Sequence, residues 1–485
     1  MAPAPLIQSL DGAAAPDRAL LGGKGASLVE LLGVGAPVPP GFVITTAACE
    51  RFFELGELPP ELIEQLPQAM AAIERQLGRR FGDAADPLLV SVRSGAPVSM
   101  PGMMDTILNV GLAPGTLPGF VAAMDGDASF AEDCRSRLQA MFERSVGARL
   151  PEDPMAQLLG SVEAVFSSWN SKRARLYRRF HKLEDTGTAV VIQAMVFGNR
   201  DQRSGTGVVF TRDPSSGERR LFGDFLANAQ GEDIVAGSHN TSDLSGMAEA
   251  LPEAMAELAG LAERVEAHFA DLCEIEFTVE SGRLWLLQAR PGQRSARAEI
   301  VAAVELAETG AIDRAEAVRR VDRERLQGML RPVLDEAALD AGTVLTVATG
   351  VSPGVASGRL AFDAESCVSL AEAGEAAIMV RPETSPDDLE GIIACTGLLT
   401  LRGGKTSHAA VVTRGLGRPC VCGASELQLD AGEPSLRGGG TVLRPGERIS
   451  IDGASGRVIV GSAPVREPVP PPQLDTFLRW LEEDA

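Results

Sequence analysis

The chain has 485 residues, of which 45% are hydrophobic, and its 45 Lys and Arg against 66 Asp and Glu give a net charge of −21. This length and composition predict two to four globular domains with sizeable cores. The negative charge argues against nucleic acid or an anionic membrane as a partner of the whole surface, and no apolar run reaches the roughly 20 residues of a membrane helix.

The cysteines and the N-terminus bear on the compartment. The seven cysteines are scattered and odd in number, and the C-x-C pair Cys420 and Cys422 fits neither a zinc nor a redox spacing. The first residues show no basic region followed by an apolar core, as a secretion signal would. We therefore predict buried, inert thiols and a cytoplasmic protein.

The first motif is a lysine between glycines. Residues 21–28, LGGKGASL, lead into an apolar helix that we expect to end near residue 33, and residues 42–46 predict a strand. Lys24 is either a plain loop residue or a mobile charge that reaches a phosphate.

A second loop is more specific. Residues 88–106 predict a buried strand that delivers Arg93 into a loop rich in Ser, Gly and Pro. Such a loop offers free N–H groups and hydroxyls to phosphates, and Arg93 offers a bidentate charge. The alternative is a long surface loop, which the Met-rich and weakly charged composition disfavours.

The middle of the chain alternates helix and strand. Residues 129–182 predict helices, residues 188–196 an apolar strand, residues 204–214 a turn and a strand, and residues 228–233 a polar loop. Residues 274–280 and 284–290 then predict a hairpin.

The hairpin carries four polar residues. Alternation puts Glu274 and Glu276 on one face of its first strand, and Gln288 and Arg290 on one face of its second. If the four converge, they supply oxygen ligands for magnesium and a fork for phosphate charge. The alternative is a solvated sheet face with a salt bridge.

Residues 295–342 predict a helical connector, in which Ser295 starts a helix that Gly310 stops. A new domain begins near Thr343, with short strands at 377–380, 397–401 and 448–452. A proline-rich extended tail over 464–472 and a short helix end the chain.

One histidine has a distinctive setting. Residues 398–415 predict a strand, a two-glycine turn and a short helix that Thr406 or Ser407 caps and Gly415 ends. The helix start favours an anion and disfavours imidazolium, so His408 is expected to be neutral and nucleophilic. The alternatives are a histidine that only packs, and a Walker loop, which fails because position 399 is Leu399.

Residues 403–412, GGKTSHAAVV, resemble the phosphohistidine motif of the PEP-utilising enzymes, which include pyruvate phosphate dikinase, PEP synthase and enzyme I of the sugar phosphotransferase system. Lys405 stands where the dikinases usually have Met. Residues 88–106, 164–170, 204–214, 228–233 and 381–388 also resemble dikinase segments, and the last of these is expected to approach the histidine.

The resemblance implies an α/β protein with an α+β ATP-grasp nucleotide-binding domain at 1–294 and a helical connector at 295–342. A swivelling β/α phosphohistidine domain at 343–463 and a proline-rich tail with a short helix at 464–485 follow. The chain near residues 151–154 is shorter than in the usual dikinase, so the cap over the nucleotide is expected to be reduced. The family's PEP/pyruvate barrel would come after residue 485.

The resemblance also implies ATP and Mg2+ as ligands, with His408 and Arg290 catalytic. The residues expected near the nucleotide are Lys24, Arg93, Ser94, Gly95, Gly102, Glu274, Glu276, Gln288 and Arg290, with Gln193, Met195 and Val196 close to the adenine. Glu276 and Gln288 are the expected metal ligands. Dikinases usually have Asp at position 274, one methylene shorter than Glu274.

The implied activity is autophosphorylation of His408 from ATP and inorganic phosphate, which gives AMP and pyrophosphate. A separate PEP/pyruvate-binding chain would accept the phosphoryl group, and the chain would be a monomer or part of a hetero-assembly. The alternatives are a PEP synthase-like dikinase that uses water or another acceptor, and a non-catalytic phosphocarrier that senses ATP. Thr406 is a candidate regulatory phosphorylation site, as in some dikinases.

Overall fold

The computed structural model describes residues 4–11, 16–98, 100, 103–183, 186–235, 242–322, 332–340, 343–430 and 434–483. The chain forms two compact units. One consists of Met1–Ser204 with Thr278–Ala289, and the other of Gly205–Phe277 with Arg290–Ala485.

The first unit is built on a five-stranded antiparallel sheet in the order β1-β2-β7-β5-β6. The strands of this unit are β1 Ile7–Ser9, β2 Gly41–Ile44, β3 Arg80–Phe81, β4 Pro87–Leu88, β5 Val90–Gly95, β6 Thr106–Val110 and β7 Ala189–Ala194. Strands β3 and β4 pair with each other outside the five-stranded sheet. Its helices are α1 Arg18–Gly33, α2 Thr46–Leu55, α3 Pro60–Leu77, α4 Leu117–Ala123, α5 Ala128–Val146, α6 Pro154–Ser168 and α7 Lys172–His181. The helices predicted at 129–182 are therefore present. The strand predicted at 42–46 is present but ends at Ile44, because Thr45 is the cap of helix α2 and Thr46 its first residue.

The core of this unit shows why these segments fold as they do. Every residue of β7 is buried, as expected for a central strand without polar alternation. Helix α3 buries Leu62, Leu66, Met70 and Ile73, which recur on one helical face. These side chains join those of the sheet in one hydrophobic cluster.

A second five-stranded sheet has the order β10-β9-β8-β11-β12. Its strands are β8 Gly205–Phe210, β9 Phe222–Ala227, β10 Ser242–Asp243, β11 Cys273–Glu280 and β12 Arg283–Pro291, and the nearby helices are α8 Gly231–Val235, α9 Leu244–Ala250 and α10 Pro252–Phe269. The predicted hairpin is β11 and β12. The polar loop predicted at 228–233 is wrong from Gly231 onward, because Asp233 accepts the Gln230 N–H and starts helix α8.

The connector and the tail form one helical cluster in the second unit. Helix α11 Ala296–Glu308 starts at its cap Ser295, as predicted, and α12 Arg314–Arg320 follows. The C-terminal helix Gln473–Glu483 buries Phe477 and Trp480 against Ile300 and Val304. The tail is extended where strand Val465–Arg466 pairs with strand Val333–Leu334.

An eight-stranded sheet follows the connector. The strands from residue 333 onward, numbered in chain order, belong to three sheets. They are β13 Val333–Leu334, β14 Val344–Val347, β15 Thr349–Ser352, β16 Val355–Ala361, β17 Ala377–Arg381, β18 Gly397–Thr400, β19 Cys420–Cys422, β20 Gln428–Asp430, β21 Ser435–Gly438, β22 Thr441–Leu443, β23 Arg448–Asp452, β24 Arg457–Val460 and β25 Val465–Arg466. The sheet order is β14-β24-β23-β16-β17-β18-β19-β15, and β20-β21-β22 form a separate sheet.

The middle strands β16 to β19 are parallel, and helices connect them. The helices are α13 Ala364–Glu372, α14 Leu389–Ala394 and α15 His408–Gly415, with a 3-10 turn at Pro386–Asp388, and α16 is the C-terminal helix Gln473–Glu483. Helix α15 carries the candidate histidine between β18 and β19. The predicted α/β class is confirmed.

Among the residues that the structure describes, none of the helices combines the length and the apolar composition that crossing a membrane requires.

Candidate functional site

In the first unit, helix α1 and the end of strand β5 meet through glycines. Asp17 caps α1, and Gly22 interrupts the helix with φ +66°. Gly23 N–H donates to Ala96 O over 2.8 Å. A Cβ at position 22 would lie 1.5 Å from Gly95 O, so another residue would force the two segments apart. The sequence analysis placed these glycines in a loop before the helix. That prediction is wrong, because the helix starts at Arg18 and the glycines lie inside it.

This contact brings the two predicted phosphate segments together. A Cβ built on Gly95 would lie 3.4 Å from Lys24 Cβ, although the two residues are far apart in sequence. Ser94 is half-buried beside Gly95 on β5. The predicted residue Gly102 lies outside the described residues. Two motifs that were found separately thus form one basic, glycine-rich corner of the first unit.

Arg93 is buried and fixed in position. Its Nη1 donates to Leu287 O over 3.1 Å and to Gln193 Oε1 over 3.4 Å. Gln193 Nε2 in turn donates to Pro39 O over 3.0 Å. The Gln193 side chain is therefore engaged in holding the arginine. Its proximity to an adenine stays a prediction.

Met195 and Val196, the other two residues predicted near the adenine, line a cavity of about 220 Å3 in the first unit. Sequence reasoning missed two further residues of its wall, Glu280 and Trp285, because nothing local in the sequence relates the hairpin turn to strand β7.

In the second unit, Glu274 and Arg290 form an ion pair. Arg290 Nη2 donates to Glu274 Oε1 over 2.6 Å, and the two side chains are 16% and 4% exposed, so this is not a solvated salt bridge. Glu274 Oε2 is buried and lacks a hydrogen-bond partner among the described residues. A buried carboxylate oxygen in that state is a place where a cation gains free energy.

Glu276 also belongs to the second unit, whereas Gln288 belongs to the first. The convergence of all four hairpin residues therefore stays a prediction. Among the described residues, no cluster of three or more His, Cys, Asp or Glu could hold a metal ion. Magnesium would need oxygen ligands from the nucleotide phosphates as well, which is its usual mode of binding.

The turn before His408 is held by side chains. Ser407 is the cap of helix α15, because its Oγ accepts the Ala410 N–H. The other capping candidate, Thr406, instead donates its N–H and its hydroxyl to Asp224 Oδ2, over 2.8 and 3.0 Å. The helix ends at Gly415, as predicted.

His408 is only 6% exposed, and one of its ring nitrogens is engaged. Nδ1 lies 3.3 Å from Thr384 Oγ1, so the loop at 381–388 does approach the histidine. Nε2 is buried and has no hydrogen-bond partner among the described residues. If Nδ1 donates to the threonine, Nε2 keeps a free lone pair.

Burial lowers the pKa of His408 to about 4, and the charge of Asp388 opposes that shift only in part. The ring is therefore neutral at pH 7, as the sequence predicted, and desolvation is the main cause of the lowered pKa.

Arg414 is a residue of this site that the sequence analysis missed. Its Nε donates to Val351 O over 2.8 Å, its Nη2 donates to Lys405 O, and its guanidinium lies 5.1 Å from the centre of the Phe210 ring. Burial lowers its pKa, and the carboxylates of Glu274 and Asp224 oppose that effect. A basic residue on an otherwise apolar helix face was the available signal.

Two further expectations concern Lys405 and the cysteines. The Lys405 ammonium lies 4.7 Å from the centre of the Phe222 ring, a cation–π contact.

All seven cysteines are buried and free, as predicted, and the Sγ atoms of Cys420 and Cys422 are 3.7 Å apart.

Comparison with protein families gives two matches. The family model described as the AMP/ATP-binding domain of pyruvate phosphate dikinase matches residues 18–68, 56–250 and 247–310. The one described as the mobile domain of PEP-utilising enzymes matches residues 373–456, which include the histidine turn.

Several curated proteins are similar over most of this chain. Pyruvate, phosphate dikinase of Rhizobium meliloti (strain 1021) is 40% identical over an alignment of 529 positions including gaps. The alignment covers 96% of this chain and 59% of the relative. The dikinase of Clostridium symbiosum is 39% identical with the same coverage, and dikinase 2 of Zea mays is 40% identical over 96% of this chain and 58% of the relative. The chain thus spans somewhat over half the length of these relatives.

Proposed function

The chain belongs to the pyruvate phosphate dikinase family, and on that premise we propose that it catalyses the nucleotide half-reaction of a dikinase. ATP and inorganic phosphate would give AMP, pyrophosphate and a phosphoryl group on His408. The observation that carries the proposal is His408 itself: a buried, neutral histidine at a helix start whose Nε2 has no partner among the described residues.

In the first step His408 Nε2 attacks the β-phosphorus of ATP. The N–P bond forms while the bond from the β-phosphorus to the oxygen that bridges to the α-phosphorus breaks, and AMP leaves. Inorganic phosphate then attacks the γ-phosphorus, so that pyrophosphate leaves and one phosphoryl group stays on the histidine. A neutral ring is required because imidazolium has no lone pair for the attack.

Cations would stabilise the charge that these steps move. Lys24 and Arg93 would hold phosphate oxygens beside Gly95, and Arg290 would act on the phosphoryl group in transfer. Its pair with Glu274 keeps the guanidinium in place before substrate arrives. Magnesium, held in part by Glu276 and Gln288, would neutralise phosphate charge.

We further propose that residues 343–463 act as a swivelling carrier. Thr406 and Arg414 would keep the histidine turn in position for attack, through Asp224 on β9 and Phe210 on β8. Transfer to an acceptor would require these contacts to break, and residues 295–342 would be the connector that permits it. The proposed acceptor is pyruvate at a separate PEP/pyruvate-binding site, and the proposed compartment is the cytoplasm.

The test is incubation with Mg2+ and ATP labelled at the β-phosphorus, with and without inorganic phosphate. We expect acid-labile label on the protein, AMP release, and pyrophosphate release that depends on phosphate. His408→Ala should remove the label, whereas His268→Ala, an exposed histidine on α10, should not.

Two results would contradict the proposal. Label on the histidine with AMP release, and with the γ-phosphoryl group released as inorganic phosphate when no phosphate is added, would indicate a PEP synthase-like reaction that uses water. Tight ATP binding without any label would indicate a nucleotide sensor.

A further inference from the structure

Three residues form an acidic patch on one face of the second sheet. On β9, Phe222 and Asp224 are two positions apart, so their side chains lie on the same face. On β10, Asp243 is the register partner of Asp224 in the antiparallel pair, so it shares that face. The acidic patch therefore combines one aromatic ring with two carboxylates.

The two carboxylates of the acidic patch repel each other. Like charges directly opposite each other on two paired strands are destabilising. Asp224 is buried, and it accepts the Thr406 N–H and hydroxyl over 2.8 and 3.0 Å, which stabilises its charge. Asp243 is exposed, and its carboxylate accepts the N–H of Ser245 in the first turn of helix α9. A cation beside the pair would offset the repulsion that remains.

Lys405 supplies that cation. Its ammonium lies 4.7 Å from the centre of the Phe222 ring. Hydrogen bonds from Ser245 lower the pKa of Asp243, and the charge of Lys405 lowers it further, so the ammonium acts on this carboxylate as well. Because Lys405 is half-buried, water screens its interactions only in part.

The main chain at Lys405 connects the acidic patch to the candidate histidine. The Lys405 carbonyl accepts a hydrogen bond from Arg414, which lies in the histidine helix. Thr406, bound to Asp224, and Ser407, the helix cap, come next in the chain and lead directly to His408. A charge that draws Lys405 to the acidic patch therefore acts on the turn before the attacking ring.

We propose that Lys405 is a positioning residue, which seats the histidine turn on strands β9 and β10 through its charge. The ammonium binds the Phe222 ring and offsets the repulsion between Asp224 and Asp243, and this keeps His408 in place for attack. Dissolved salt weakens the seat because it screens these charges. The inference rests on the proposed function and deepens it, since the placement of the nucleophile becomes dependent on ionic strength.

The first experiment follows hydrogen exchange of the Thr406 amide and requires neither ATP nor activity. That amide donates to Asp224 Oδ2, so its exchange reports how often the turn leaves the acidic patch. Mass spectrometry with electron-transfer fragmentation reads it. In the unmodified protein we expect exchange to become about threefold faster between roughly 0.05 and 0.5 M NaCl, as the Debye length shortens.

Lys405→Met removes the charge and nearly keeps the length of the side chain, and Met is the residue that dikinases usually have at this position. At low salt we expect exchange about fivefold faster than in the unmodified protein, with no further increase as salt is added. Lys405→Arg keeps a cation and should retain both the slow exchange and the salt dependence. Lys172→Met is the matched control, because Lys172 is exposed on α7 in the first unit.

Asp243→Asn tests the carboxylate on which the ammonium acts. Asparagine caps a helix as well as aspartate does, so the start of helix α9 should be kept. With the repulsion on Asp224 removed, less of it is left for Lys405 to offset. Lys405→Met should therefore accelerate exchange only about twofold in the Asp243→Asn protein.

The second experiment measures single-turnover labelling of His408 at saturating ATP, so that salt acts on the turn and not on nucleotide binding. A turn that is held less tightly places the ring less precisely, so Lys405→Met should slow labelling at low salt by up to about fivefold. The difference from the unmodified protein should shrink as salt is added. Lys405→Arg and Lys172→Met should label at the normal rate.

Exchange of the Thr406 amide that ignores salt in the unmodified protein would overturn the proposal, even if Lys405→Met fails to fold. A Lys405→Arg protein that behaves like Lys405→Met would also overturn it, because charge would then not be the cause. Label on His408 with exchange and labelling that ignore Lys405 would remove this inference and leave the proposed function standing. Conversely, exchange that depends on Lys405 and on salt, without any label on His408, would remove the proposed function and keep the seat of the turn.

Discussion

Two glycine-containing turns of the candidate site, one inside helix α1 and one before helix α15, are held in place by different means. In the first unit the turn at Gly22 is fixed by backbone contact with Gly95 and Ala96. In the second unit the turn before His408 is fixed by side chains, because Asp224 accepts from Thr406 and Arg414 donates to Lys405 O.

The difference fits the role that is proposed for each turn. A nucleotide phosphate needs free N–H groups and a bare backbone that it can approach closely. A nucleophilic histidine has to be kept from water and neutral, and surrounding side chains do that. We therefore expect the first turn to be sensitive to added atoms and the second to the loss of hydrogen-bonding groups.

The largest expected effect is that of an added methyl group at Gly22. Gly22→Ala places a Cβ against Gly95 O at a positive φ, and we expect the free energy of unfolding to fall by about 4 kcal/mol or more, with loss of ATP binding. Gly35→Ala is the matched control, because φ is +73° there but nothing lies within 4 Å of the new Cβ.

The control should lose only about 1 kcal/mol, since it suffers the backbone strain without the collision. Urea denaturation and ATP calorimetry measure both quantities. Equal losses in the two variants would show that the backbone contact between α1 and β5 is unimportant.

The next effect is the loss of the buried guanidinium in the second unit. Arg414→Met leaves Val351 O and Lys405 O without donors, and we expect it to lower the free energy of unfolding by about 3 kcal/mol and to slow the labelling of His408. Arg437→Met removes an exposed pair with Asp430 and should cost less than about 1 kcal/mol.

Arg414→Lys keeps the charge and can donate to one of the two carbonyls. We therefore expect it to recover more of the free energy of unfolding than of the labelling rate. Labelling at the normal rate in a stable Arg414→Met protein would contradict a positioning role for this residue.

Local patterns in the sequence account for much of the fold. The hairpin, helix α11 with its cap Ser295, and strands β17 and β18 were predictable because each follows from periodicity and a few turn or capping residues. The histidine helix was also predictable, with Ser407 as one of two caps. Its neutral ring was predicted from the helix start, whereas in the structure burial is the main cause of the lowered pKa of His408.

The missed contacts are long-range. Asp224 against Thr406 and Arg414 against Val351 join segments that only the packed sheets bring together. The start of α1 was missed for a different reason. Asp17 is an ordinary cap, but the glycines that follow it predict a turn. The helix continues beyond them because Gly22 adopts a positive φ of 66° and forms a kink inside it.

The pH dependence of stability should also differ between a buried and an exposed histidine. The folded pKa of His408 is about 4, below the usual 6.5, so its neutral state contributes stability above pH 6.5 that is lost as the pH falls toward 4. We expect that loss to be on the order of 3 kcal/mol.

Urea denaturation between pH 7.5 and 4 measures it. His408→Asn should lack this part of the decline, whereas His268→Ala should keep it. Protonation of His408 should not slow the labelling at pH 6.5, because the ring is still neutral there. A labelling midpoint near 6.5 that belongs to His408 would mean that the ring is hydrated and not buried.

The smallest expected effect separates positioning from ordinary stability at the histidine turn. Thr406→Val removes the hydroxyl that donates to Asp224 but keeps the backbone N–H that does the same. Thr396→Val is its control, because that hydroxyl donates to Ala377 O over 2.8 Å within the same eight-stranded fold and away from the histidine. Each variant should lose about 1 kcal/mol of the free energy of unfolding.

Only Thr406→Val should slow the labelling of His408, by up to about fivefold, because its lost hydrogen bond is one that holds the turn before the attacking ring. Single-turnover labelling and urea denaturation on the same preparations give both numbers. Equal slowing in the two variants would mean that labelling follows general stability, and the side chains around the turn would then serve to exclude water and not to aim the histidine.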